Sequence, residues 1–88
     1  MSNDTLNSNI ILERVKLAVA SVIGTPVIEI DNNANFKNDL GLDSLDLIEL
    51  EYKLEIFFKI ELEIELLQQI NTVQKVANFI EELQTKQI

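Results

Sequence analysis

Only three residues in this 88-residue chain break helices strongly: Gly24, Pro26 and Gly41. Glycine and proline disfavour helix interiors by about 1 and about 3 kcal/mol. Everything outside the window that they bracket is therefore free to be helical. From about Asn9, the residues Ile11, Val15, Ala18, Val19 and Val22 recur at three- and four-residue steps, the period of a helix with one apolar face. Gly24 and Pro26 end that helix. A long connection follows from Thr25 to Gly41, with turn chemistry in Asp31-Asn32-Asn33-Ala34-Asn35. Val27, Ile30 and Phe36 are its candidate anchors in a core. Connections of this length are uncommon in compact domains and are often functional.

Beyond Gly41 the pattern predicts a second helix over 44–58 and a short third one over 63–69. A fourth begins near Asn71 or Thr72, where Asn71 and Gln74 have the spacing of a capping box. Val73, Val76, Ile80 and Leu83 form its stripe. Residues 58–65 alternate strictly between apolar and polar, the period of a half-buried strand. A lone strand has no partner here, so an extended segment entering the third helix is the preferred reading. The expected fold is all-α, a small four-helix bundle with a long first loop and a short third helix. Residues 1–8 read as a flexible tail, 9–84 as the helical domain and 85–88 as a frayed end.

The second helix carries two apolar faces. At about 100° per residue, Leu47, Leu50, Leu54, Phe57 and Phe58 fall on one side. Leu45, Ile48, Tyr52 and Ile56 fall on the other. One stripe is enough to hold a helix on a core. The second is either wrapped by the rest of the domain or exposed as a docking face. Asp46 and Glu49 flank it on one side and Glu55 on the other. Eight of the 15 acidic residues lie between Asp43 and Glu65. An apolar strip rimmed by acids suits a partner groove rimmed by arginine and lysine.

Charge and missing residue types narrow the function. A formal charge of −8 argues against nucleic acid and against anionic membrane surfaces. The chain has no cysteine and no histidine. It thus lacks a thiol nucleophile, the commonest general base and the usual zinc ligands. No apolar run approaches the roughly 20 residues of a membrane span. Met1 to Ser8 is polar, without arginine or an apolar core, and does not read as a targeting segment. A cytoplasmic monomer is the expected state. Asp31-x-Asn33-x-Asn35 opens like a calcium loop, but Phe36 stands where such a loop needs glycine and Leu42 where it needs glutamate. No metal site is expected.

Gly41-Leu42-Asp43-Ser44-Leu45 places a serine at the mouth of the second helix. Helix N-termini leave backbone N–H groups unpaired and favour a phosphoryl group. Taken alone, the pentapeptide reads first as a plain cap, with Asp43 capping and Ser44 inert.

The surroundings give the motif more weight, because the chain resembles the acyl carrier protein family from about Ile10 to Ile80. Asn32-Asn33-Ala34-Asn35-Phe36 is similar to the family's loop before its second helix. Asp39-Leu40-Gly41-Leu42-Asp43-Ser44-Leu45-Asp46 resembles its attachment motif, with Glu49-Leu50 continuing in register. Thr72-Val73-Gln74 resembles the start of its last helix. The resemblance implies that Ser44 carries 4'-phosphopantetheine, delivered from coenzyme A by a phosphopantetheinyl transferase. It implies a carrier rather than an enzyme, which holds acyl groups as thioesters for fatty-acid-type enzymes with basic docking patches. Its implied partner contacts are Asp43, Leu45, Asp46, Ile48, Glu49, Tyr52 and Glu55. The sequence departs from the family at Ile56 and Phe57, where many relatives carry acids, and at Glu63-Ile64-Glu65. Ile56 extends the apolar surface. These departures leave a specialised carrier, for polyketide, aminoacyl or other lipid chemistry, as the alternative. An unmodified helical interaction protein is the third reading.

Overall fold

The computed structural model describes residues 3–85, with side-chain surroundings from Asn9 onward. Its elements are α1 (Asn3–Ile23), α2 (Ser44–Phe58), α3 (Ile64–Gln69) and α4 (Val73–Thr85), with a single 3₁₀ turn at Val27–Glu29. Among the described residues there is no strand beyond one isolated bridge between Asn35 and Thr72. The all-α expectation holds, including the long gap before α2 and the short third helix.

Helix α1 starts at Asn3, and Met1 and Ser2 lie outside the described residues. Thr85 closes α4, and the remainder of the expected frayed end, 86–88, lies outside them.

The core forms where the apolar stripes meet. Ile11, Val15, Ala18 and Val19 from α1 meet Leu50 and Leu54 from α2, Leu67 from α3, and Val73, Val76 and Ile80 from α4. Helix α1 packs along α4 and α2, and α3 closes against α2. Gly24, at φ +71°, turns the chain out of α1, and its N–H and that of Thr25 both donate to the Ala20 carbonyl. Leu62, buried, anchors the extended segment between α2 and α3 as its alternation predicts.

The long loop is held by its own side chains. Asp31 Oδ1 accepts from the Asn33 N–H at 2.8 Å. Asn35 Oδ1 accepts from the N–H groups of Lys37 and Asn38 at 3.0 and 2.9 Å. Asp39 Oδ2 accepts from the Asn35 N–H at 2.7 Å. The side-chain oxygens of Asp31 and Asn35 thus stabilise turns in the loop. Ile30 and Phe36 are buried beneath them, and Val27 packs at the edge of the core.

The loop also completes the start of α4. The Asn32 carbonyl accepts from the Gln74 N–H at 2.9 Å, and Thr72 Oγ1 accepts from the Lys75 N–H at 3.1 Å. The cap is therefore Thr72, not the Asn71–Gln74 box that the spacing suggests. Gln74 instead donates its side-chain amide to Asn78 at 3.1 Å.

Candidate functional site

Gly41 begins the approach to α2. Its φ of +73° is a left-handed conformation that side-chain-bearing residues adopt at a cost. Leu42 then turns inward and is buried. Asp43 follows as the cap: its Oδ1 accepts from the Asp46 N–H at 2.9 Å, and Asp46 Oδ2 accepts from the Asp43 N–H at 3.1 Å. Two otherwise unpaired donors at the helix start are satisfied reciprocally. The capping role that the sequence allowed for Asp43 is thus real, and Asp46 shares it.

Ser44 is the first residue of α2 and is exposed. Its side chain makes no hydrogen bond among the described residues. The hydroxyl faces solvent beside a groove of about 550 Å³ whose floor is Phe36, Leu42, Leu47 and Leu67. A group attached to it would have the unpaired N–H groups of a fifteen-residue helix at one end and an apolar trough alongside.

The two faces of α2 separate cleanly in the structure. Leu47, Leu50 and Leu54 are buried. On the other side Leu45 is 75% exposed, Ile48 51%, Tyr52 63% and Ile56 56%. The domain does not wrap the second stripe, which leaves a continuous apolar strip open. Phe57 departs from expectation. The wheel placed it with the buried stripe, yet it is about half exposed, because it sits at the edge of that stripe in the last turn of α2.

The acids beside the strip already have partners inside the chain. Glu49 pairs with Lys53 at 3.9 Å, one turn along. Such exposed pairs contribute about 0.3–0.5 kcal/mol. Glu55 Oε2 accepts from the Leu62 N–H at 2.9 Å, pinning the segment that leads to α3. Sequence reasoning missed that bond, which spans the end of a helix and leaves no periodic trace.

Among the described residues Glu51, half-buried, is the one carboxyl shifted off its ordinary value. Partial burial raises its pKa, and the neighbouring charges of Glu55, Glu65 and Glu63 raise it further. The folded protein therefore binds more protons than the unfolded chain between the ordinary glutamate value of about 4.3 and the raised one. Stability from this group is present at low pH and is lost as pH rises through that window. Glu51→Gln is expected to raise the urea midpoint at pH 7. The difference between variant and wild type should shrink as pH falls towards 4. A difference that stays constant over that range would assign the gain to something other than charge.

Residues 13–80 match the family described as "Phosphopantetheine attachment site". An acyl carrier protein of Guillardia theta is 36% identical over 75 residues, which span 85% of this chain and 93% of that protein. Fold and comparisons together define a helical carrier of a prosthetic group, not a catalyst. The chain belongs to the acyl carrier protein family, whose attached group is phosphopantetheine. No helix among the described residues is long and apolar enough to cross a membrane.

Proposed function

We propose that Ser44 is the point of attachment and that the chain presents acyl groups to fatty-acid-type biosynthetic enzymes. The observation that carries this reading is the free Ser44 hydroxyl, exposed at the capped start of α2 within the matched residues. A phosphopantetheinyl transferase is the first partner. The Ser44 oxygen forms a new bond to the pantetheine-bearing phosphorus of coenzyme A. The pyrophosphate bond breaks, and adenosine bisphosphate leaves with its electron pair. The proton passes to the transferase or to water. When bound, the arm supplies the thiol that carries acyl groups as thioesters, which this chain lacks among its own side chains.

Apart from Ser44, the chain's residues position rather than react. Asp43 and Asp46 fix the helix start, so that Ser44 projects at a defined angle. Leu45, Ile48 and Tyr52 supply contact area, and the acids supply attraction to basic patches on each enzyme. Docking raises the effective concentration of the tethered group at each active site. A specialised pathway is the second reading, favoured by exposed Ile56, which extends the strip, and by Phe57, which adds apolar surface at the end of α2 on the edge of the buried stripe.

Incubation with coenzyme A, magnesium and a broad-specificity transferase should raise the intact mass by one phosphopantetheine. No gain, under conditions that convert a control carrier, would sink the reading in favour of an unmodified interaction protein. A malonyl transferase of fatty acid synthesis then separates the pathways. Acceptance supports the first reading, and refusal that is relieved by Ile56→Glu with Phe57→Glu supports the second.

A further inference from the structure

The groove beside Ser44 has a polar rim that the attachment reading does not use. Lys37 is the one cationic side chain among the described residues that line it. It forms no ion pair among them, although the molecule carries a net charge of −8. Asn38, Gln68 and Asn71 stand on the same rim. Their side-chain amides have no hydrogen-bond partner among the described residues. Each offers two N–H donors and one carbonyl acceptor. At about 550 Å³ the groove lies within the range of small-molecule sites, roughly 300–1,000 Å³.

These features match one occupant chemically. A phosphopantetheine ester has a single phosphodiester charge at its root, a gem-dimethyl carbon and hydroxyl next, and two amides along its length. The root stands beside Asp43 and Asp46, whose carboxylates repel it. The end of α2 offsets this only weakly, by about 0.3–1 kcal/mol at an exposed site. A lysine ammonium on its flexible four-carbon stem is a mobile point charge suited to a phosphate. The apolar floor of Leu42 and Leu47 suits the gem-dimethyl carbon, and the rim amides suit the two amide groups.

We infer that Lys37 and the amide rim of Asn38, Gln68 and Asn71 hold the arm along this groove between visits to enzymes. This rests on Ser44 being the attachment point. The carrier then has a resting state in which its arm lies against its own surface, and a partner must draw the arm out.

The test compares apo and loaded protein by amide NMR at low salt, with intact mass measured on the same samples. Loading is expected to shift the side-chain amides of Gln68 and Asn71, more than twenty residues from Ser44, together with Asn38. In loaded Lys37→Glu those shifts should fall by at least half, while Lys37→Arg keeps them. The Lys37 side chain is exposed and makes no hydrogen bond among the described residues; the bonds of this residue, to Asn35 and from Gly41, use its backbone alone, so the fold is unaffected. A mass gain with shifts confined to residues 42–47 overturns the resting state and leaves attachment standing. Shifts at Gln68 and Asn71 that are unchanged in Lys37→Glu overturn the role of Lys37. Absence of a mass gain overturns the attachment reading, and the resting state with it.

Discussion

Ser44→Ala is expected to abolish phosphopantetheine loading completely while leaving stability within about 0.5 kcal/mol of wild type. The first part follows from chemistry, because an alanine has no oxygen to form the phosphoester bond. The second follows from how α2 begins. The reciprocal Asp43–Asp46 bonds hold the helix start, and the Ser44 hydroxyl bonds to nothing among the described residues. Alanine is also the best helix former. Asp43→Ala should show the opposite pattern. It removes the cap, costing about 0.5–2 kcal/mol, and takes away a partner contact, so loading slows, but the hydroxyl remains and the full mass gain is still reached. Intact mass after transferase treatment and thermal melts by circular dichroism read both variants. A mass gain in Ser44→Ala would move the attachment to another hydroxyl. A collapsed melt would mean that Ser44 supports the fold, contrary to its exposure.

What the sequence disclosed follows from how local each signal is. The bounds of α2 were legible, because Gly41 and the cap stand at its start and the alternation over 58–65 begins at its end; the chain leaves through Lys59 at φ 55°, a left-handed turn that a lysine does not announce. The extended segment 60–63 was legible because Leu62 alternates into the core. The start of α1 at Asn3 was not, because residues 3–8 carry no apolar period even though the backbone is helical there. The cap of α4 was off by one residue. Asn71 and Thr72 are both capping types, and a carbonyl from Asn32, some forty residues earlier, takes the Gln74 N–H. At the site, the serine and the exposed strip were visible as motif and period. The bond from Glu55 to Leu62, the crowding around Glu51 and the rim facing Lys37 were not. Each depends on where α3 and the loop come to rest against α2.

Leu50 and Ile48 lie two residues apart on opposite sides of α2, and exchanging each should separate fold from function. Leu50 has no exposed surface. Leu50→Ala leaves a cavity that typically costs about 2–5 kcal/mol. A domain of this size has only about 4–13 kcal/mol in total. The variant should therefore melt many degrees lower or fail to fold at room temperature. Ile48 is half exposed, and Ile48→Ser should change stability by no more than about 0.5 kcal/mol. Its effect belongs to docking. An apolar anchor at an interface centre is worth about 1–2 kcal/mol or more, so transferase kcat/KM should fall roughly tenfold or further. If Ile48→Ser destabilises as much as Leu50→Ala, the strip is covered in the protein and cannot serve partners. If instead it loads at the wild-type rate, the transferase reads Ser44 without this face. The acids would then do no more than keep the carrier in solution, because an attractive rim aligns an encounter only when the apolar surface that it surrounds makes contact.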